Sequence, residues 1–224
     1  MFASEAFLDL EETVHTELFA AEEPVWNALN RIAPYLAAKS NFHILGDVSA
    51  HAHIAGDVHI GEGTVVEPGA VIHGPAWIGK NCTIRTGAYL RGNVITGDNC
   101  TLGNSCEFKN CVLFNDCEVP HFNYVGDAIL GHKAHLGAGV ILSNVRLDRA
   151  NVRVRHDGET IDTGLRKFSA IVGDRTEIGC NTVISPGSLL GRACILYPNS
   201  HWSGILADRT IVKVKQTHQL VERS

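Results

Sequence analysis

Large apolar residues recur every six positions along this chain, and that period constrains its fold more tightly than any other feature. From Val48 the steps fall on Ile54, Ile60, Val66, Ile72, Ile78, Ile84, Leu90, Thr96, Leu102 and Phe108. Two residues before each stands a side chain that is mostly small: Gly46, Ala52, Val58, Thr64, Ala70, Ala76, Cys82, Ala88, Val94, Cys100 and Cys106. A helix would need spacings of three and four, and a lone strand a spacing of two. A period of six predicts short strands joined by tight turns, with three hexads closing a coil of about 18 residues. Coils stacked at the strand-pairing distance of about 4.8 Å bring equal positions into columns. The large residue of each hexad fills the interior and the small one fits where the chain bends. Cys82, Cys100 and Cys106 are therefore read as small apolar corner residues, not reactive thiols.

The period slips by one residue between Phe108 and Leu113, continues through Val119 and Val125, and slips again to Leu130, Leu136 and Leu142. After an interruption it resumes at Val172, Ile178, Ile184, Leu190, Leu196 and Trp202. The chain thus divides into a helical segment over 1–40, a solenoid over 41–206 broken by an excursion at 145–169, and a tail over 207–224. Residues 4–38 read as two amphipathic helices capping the open solenoid end. Phe7, Leu10, Val14 and Leu18 stripe the first; Trp26, Leu29, Ile32 and Leu36 stripe the second, with Pro24 near its start. Within the excursion, Asn151-Val-Arg-Val-Arg, His156-Asp157-Gly158 and Glu159-Thr-Ile predict a hairpin around an Asp-Gly turn. Residues 146–167 carry six of the 19 basic residues. A basic arm on a mildly acidic protein suits a phosphate-bearing ligand; a hairpin salt-bridged within itself is the alternative.

Composition excludes several function classes. A net charge of −5 gives no reason to expect nucleic acid or an anionic membrane as partner. No apolar run is long enough to span a bilayer, and the acidic N-terminus lacks the pattern of a signal peptide. Seven cysteines, an odd number without an export signal, point to free thiols in a reducing cytoplasm. No CxxC pair is present, which argues against structural zinc.

The stretch Pro120-His-Phe-Asn-Tyr-Val-Gly-Asp-Ala-Ile-Leu-Gly-His-Lys-Ala-His-Leu-Gly-Ala-Gly-Val-Ile-Leu-Ser-Asn144 resembles the acetyltransferase half of the bifunctional UDP-N-acetylglucosamine pyrophosphorylase/glucosamine-1-phosphate acetyltransferases. Arg91, Gly103-Asn104, Glu107-Phe-Lys109, Lys167-Phe168 and Ile171-Val-Gly-Asp174 extend the match. The segments Asn144-Val-Arg-Leu-Asp and Asp162-Thr-Gly-Leu-Arg-Lys look more like archaeal sugar-1-phosphate nucleotidylyltransferase/acetyltransferases. The resemblance spans roughly residues 85–205. It implies an all-β solenoid of the left-handed parallel β-helix type, a homotrimer, and transfer of an acetyl group from acetyl-CoA to an amino sugar phosphate such as glucosamine-1-phosphate. No metal is required for that transfer.

Such a reaction needs a neutral amine to attack a thioester, a base for the amine's proton, and donors for the oxyanion. The resemblance makes His121 the base, and an imidazole suits the role because it is largely neutral at cell pH. Tyr124 and Asn144 would position the sugar, while Arg91, Lys109 and Lys167 would hold its phosphate. His135, Ala138, Gly139 and Cys180 would lie along the coenzyme, the Gly-Ala-Gly run letting pantetheine approach the backbone. The chain departs from the bacterial pattern at His135 (an asparagine there), at Val145 (an aromatic) and at Cys180 (a serine), which bears on sugar and acyl specificity. No Gly-rich nucleotide-binding signature precedes the solenoid, so these 224 residues are not expected to make nucleotide sugars by themselves. Two other functions fit a solenoid. One is a non-catalytic partner of a separately encoded nucleotidyltransferase. The other is a γ-class carbonic anhydrase, for which Gly131-His132-Lys-Ala-His135 has histidines three apart where five are needed, with His73 unsupported as a third ligand.

Overall fold

A computed structural model describes residues 2–217 and 219–223, so the two ends of the expected segments, Met1 and Ser224, and His218 within the tail lie outside the described residues. Short strands stack in parallel into a three-sided solenoid. The first face holds nine strands, from Asp47–Val48 through Thr101–Asn104 and Glu118–His121 to Ile211–Val212. The second runs from His53–Ala55 to His201–Trp202, and the third from Val58–Ile60 to Ile205–Leu206. The expected columns form: Ile72, Ile78, Ile84, Leu90, Leu102 and Phe108 are fully buried in one continuous core.

The corner between the third and first faces explains the small residue of that hexad. Each coil leaves a carbonyl there that needs a donor. Thr64 Oγ1 donates to Gly79 O at 2.8 Å, and Thr176 Oγ1 to Gly191 O at 2.7 Å. The thiols of Cys82, Cys100 and Cys117 donate to Gly97 O, Phe114 O and Gly131 O at 3.3, 3.1 and 3.0 Å. Burial raises the Cys100 thiol well above its ordinary range, as befits a structural side chain.

Both register slips have one cause. Strands Glu107–Leu113 and Tyr124–Leu130 run unbroken from the second face to the third, in register from Glu107↔Tyr124 to Leu113↔Leu130. Each corner is one residue shorter and bends at Asn110 (φ 47°) or Asp127 (φ 51°), residue types that tolerate the left-handed region.

The N-terminal segment departs from expectation. Its first half contains three short 3-10 turns, Ser4–Ala6, Leu10–Glu12 and Thr16–Leu18, and only Ala28–Ala37 is an α-helix. Val14 is 82% exposed, so the first apolar stripe does not exist. Nor does the segment cap the open end, where Ile44 and Leu45 remain exposed. It lies along the third face, because that face is apolar outside as well as inside. Trp77, Ile95, Val112, Ile129, Ile171, Leu189 and Ile205 form one outward row, a residue per coil. Phe7, Leu8, Leu18, Trp26, Leu29, Ile32 and Leu36 pack against this row in a second core. The α-helix contributes Leu29, Ile32 and Leu36 to this core, and the stretch of 3-10 turns before it contributes Phe7, Leu8 and Leu18.

His15 sits in this interface, 2% exposed, with Nδ1 2.8 Å from Tyr35 Oη and its ring edge-on to Trp77. Burial, with Lys39 second, lowers its pKa from 6.5 to about 4. A depressed pKa leaves His15 neutral and harmless above about pH 6.5. As pH falls toward 4 the fold loses about 1.4 kcal/mol per unit, about 3 kcal/mol in all. We expect an acid-dependent loss of stability in that window, followed by tryptophan fluorescence through Trp26 and Trp77. The slope should flatten in His15→Gln, and an unchanged slope would assign it elsewhere.

The excursion forms the expected hairpin. Arg153–His156 pairs antiparallel with Glu159–Asp162 around Asp157 and Gly158, both at positive φ, as a two-residue turn of this kind requires.

Candidate active site

Outward positions on the second face alternate along its strands and align from coil to coil. Arg91 and Lys109 project from neighbouring coils of this face, next to the row Tyr89, Glu107, Tyr124 and Ile141. Where Lys109's row reaches Gly126, the missing side chain has a purpose. A Cβ on Gly126 would stand 2.4 Å from the Tyr124 hydroxyl, so the Tyr124 ring folds over the glycine toward the corner.

At that corner Tyr124 meets Asn144, whose Nδ2 donates to Tyr124 Oη at 3.1 Å and to Asp127 Oδ2 at 2.6 Å. Asp127, 4% exposed, also accepts from Asn110 Nδ2 at 3.0 Å and lies 3.6 Å from Lys109 Nζ. Two acceptors on one Asn144 nitrogen fix the amide's orientation. Its Oδ1 is left to accept, and Tyr124's own proton is left to donate. Burial, then the charges of Asp127 and Glu107, raise the Tyr124 pKa, so the phenol stays protonated. Arg91 is paired with Glu107 at 2.7 Å on the exposed surface. An incoming anion would compete with that pair and with Asp127 for Arg91 and Lys109.

Lys167 is exposed at the end of the excursion, beside Phe168, whose N–H donates to Asn144 O at 3.0 Å. Its backbone is thereby tied to the same corner as Asn144.

His121 stands at the opposite edge of the second face, where the first face ends. Its backbone N–H donates to Asn123 Oδ1 at 3.1 Å and its carbonyl accepts from Gly139 N at 3.0 Å. Buried Asn123 in turn donates to Gly137 O at 2.7 Å. This stitching holds the backbone while the His121 side chain remains exposed next to Phe122. Neither His121 ring nitrogen has a hydrogen-bond partner among the described residues.

On the first face a shallow groove of about 350 Å³ runs toward this corner, lined by His135, Gly137, Gly179, Cys180, Ile195 and Tyr197, among others. His135 Nδ1 is bonded to Glu118 at 2.9 Å. Ala138 accepts from Asn181 N at 2.9 Å, and a Cβ on Gly139 would stand 2.5 Å from the Asn181 side chain. His135 and Cys180 therefore line the groove, while Ala138 and Gly139 form its edge next to His121.

The metal reading finds no such geometry. His132 is buried and bonded to Asn115 O at 3.1 Å on the far corner, away from His135 on the first face. Among the described residues no group of three or more His, Cys, Asp or Glu is placed to hold a metal ion.

Sequence reasoning did not assign roles to Asp127, Asn123 or Glu107. The signal for Asp127 was an acid at the middle of an apolar run, Val125-Gly-Asp-Ala-Ile-Leu130, since a buried carboxylate needs partners.

The GMPPB C-terminal domain family matches residues 72–163. A bifunctional sugar-1-phosphate nucleotidylyltransferase/acetyltransferase of Sulfurisphaera tokodaii is 35% identical over 156 residues, covering 70% of this chain and 39% of that protein. The uncharacterised acetyltransferase YaiX of Escherichia coli is 39% identical over 136 residues, 61% of this chain and 59% of its own. The crystal structure of a hexapeptide transferase family protein from Anaplasma phagocytophilum is 21% identical over 71% of this chain and 74% of its own, with a TM-score of 0.39. The chain thus spans less than two thirds of either curated relative, and the first matches through its acetyltransferase portion. No helix among the described residues is long and apolar enough to cross a membrane.

Proposed function

We infer, from the premise that this chain is a homologue of hexapeptide acetyltransferases and of the acetyltransferase part of sugar-1-phosphate nucleotidylyltransferase/acetyltransferases, that it acetylates the amine of an amino sugar phosphate with acetyl-CoA. The observation that carries this reading is the placing of an unpartnered His121 imidazole between two dissimilar surfaces. On one side lies the apolar groove of His135, Cys180 and Tyr197. On the other lies the polar Tyr124–Asn144–Asp127 cluster with Lys109.

The chemistry follows from that division. The groove takes the pantetheine arm, with the edge at Ala138 and Gly139 admitting the thioester close to backbone. Tyr124 and the Asn144 carbonyl orient sugar hydroxyls, and Arg91, Lys109 and Lys167 neutralise the 1-phosphate, glucosamine-1-phosphate being the reference substrate. The amine nitrogen bonds to the thioester carbon, His121 accepts the amine's proton, and the C–S bond breaks to release coenzyme A. The exposed apolar residues Val65, Ile195 and Ile211 of the first face and Ile141 and Val183 of the second suit faces that pack against other copies. We propose a homotrimer on that basis.

The test is direct. Purified protein is incubated with acetyl-CoA and a panel of hexosamine 1-phosphates, and the acetylated sugar is followed by mass spectrometry. Turnover on one of them is expected. No product from any would overturn the reading and leave a non-catalytic partner of a nucleotidyltransferase.

A second measurement addresses the groove alone. Six of the seven cysteines are buried and Cys180 is exposed, so one thiol per chain should react rapidly with a chromogenic disulfide. Coenzyme A should slow that reaction severalfold. Unaltered kinetics at saturating coenzyme would place the coenzyme elsewhere.

A further inference from the structure

Above the corner between the second and third faces, the excursion hairpin encloses a pocket of about 310 Å³ lined by Arg146, Arg153, Arg155, Pro186, Gly187, Ser203 and Gly204. Three arginines line it on a protein whose net charge is −5.

The hairpin is held in place from below. Val152 and Val154 are buried against the third face, so the alternation of the strand turns Arg153 and Arg155 the other way. Val152 N–H donates to Leu165 O at 2.7 Å and Thr163 N–H to Val152 O at 3.1 Å. Gly187, at φ +81°, lets the solenoid corner approach so closely that a Cβ there would stand 2.8 Å from Arg153 O.

A hairpin fully neutralised by its own acids would remove the case for a ligand, but residues 146–167 carry six basic side chains against four acids, Asp148, Asp157, Glu159 and Asp162. Asp148 pairs with Arg146, Nε–Oδ1 at 2.9 Å, and accepts from Ala150 N–H, so the Arg146 charge is already met and the unpaired charge of the pocket rests on Arg153 and Arg155. Asp162 stands directly across the strand pair from Arg153, yet its Oδ1 accepts from Gly164 N at 2.8 Å instead. Asp157 pairs with His156 at 3.1 Å, and Thr160, not an acid, faces Arg155. Arg153 and Arg155 have no ion-pair partner among the described residues.

We propose that this pocket is an anion site for a phosphoryl group separate from the sugar phosphate, suited to the terminal phosphates of a nucleotide. Forked guanidinium groups on a fixed ribbon match phosphate oxygens in pairs. Arg146 follows Asn144 by two residues, and Ser203 lies two coils beyond Ser143, about 10 Å along the solenoid. The pocket therefore adjoins the acceptor surface, with Asp127 and Lys109 on the other side of Asn144. This proposal stands on charge and geometry and does not rest on acetyl transfer.

Inorganic pyrophosphate is the probe. It is titrated calorimetrically at physiological salt into protein carrying Arg91→Ala and Lys109→Ala, which removes the other anion surface. Saturable binding with Kd below about 1 mM is expected, together with hydrogen-exchange protection across 153–162. Adding Arg153→Ala and Arg155→Ala should weaken binding at least about tenfold. Both residues are exposed, and circular dichroism checks that the fold persists. No saturation, or an affinity indifferent to the added substitutions, would overturn the proposal. Competition separates the sources of the phosphate. Displacement by coenzyme A but not by its form lacking the 3′-phosphate assigns the coenzyme, and displacement by nucleoside diphosphates alone assigns a nucleotide.

Discussion

His121→Ala is expected to lower the rate of acetyl transfer by about 10²–10⁴-fold, the usual share of a positioned general base. The effect should fall on kcat with little change in the acceptor's KM, because His121 lies across the second face from Tyr124 and Asn144. The fold should be unaffected. The side chain is exposed, and the corner is held by the His121 backbone through Asn123 and Gly139, contacts that alanine retains. Thermal denaturation of the variant separates the two effects. Retention of more than about a tenth of the rate would move the base to another group.

Phe168→Ala is expected to cost about 3–5 kcal/mol of stability, as for a fully buried aromatic cut to its Cβ. Phe168 is completely buried, its ring 6.1 Å from that of Trp26, in the core shared by the N-terminal segment, the hairpin and the third face. Its backbone joins Asn144 O on one side and receives Gly187 N–H on the other. The cavity would therefore loosen three elements at once. Urea unfolding should show the loss, with Lys167 and the hairpin the first to exchange amide protons. A loss below about 1 kcal/mol would mean that the excursion is held by its own hydrogen bonds.

Much of the site was legible because its residues stand at coil-related spacings. Arg91 and Lys109 are 18 apart in sequence, so they project from adjacent coils once the solenoid is known. The Tyr124–Asn144 pair was legible for a similar reason, being 20 apart and so little more than one coil. What was not legible was the wiring behind them. Asp127 fixes the Asn144 amide only because the chain drops a residue at two successive corners, bringing Asn110, Asp127 and Asn144 together. The slip was visible in the period, but a slip read from sequence does not say which way the freed side chain turns.

The course of residues 2–38 shows the same limit from the other side. Its apolar residues fit two helical stripes well enough, yet Val14 points to solvent and the first half follows 3-10 turns. The stronger signal lay in the solenoid, in the residue between the small and large members of every third hexad. Trp77, Ile95, Val112, Ile129, Ile171 and Leu189 are apolar there, whereas the matching residues of the second face include His53, Tyr89, Glu107, Tyr124 and His201.

A period of six with alternating small and large apolar residues is enough to determine a solenoid, because only stacked three-sided coils bury every such column. That much follows from local sequence. Which face is then covered, and by what, was decided by tertiary structure. A lateral row of apolar residues gains stability only when another segment removes it from water, and that segment lies far away in the chain. The same holds for the hairpin arginines. Their positions along the strand are local, but their lack of acidic partners emerges only when Asp148 and Asp162 are seen bonded elsewhere.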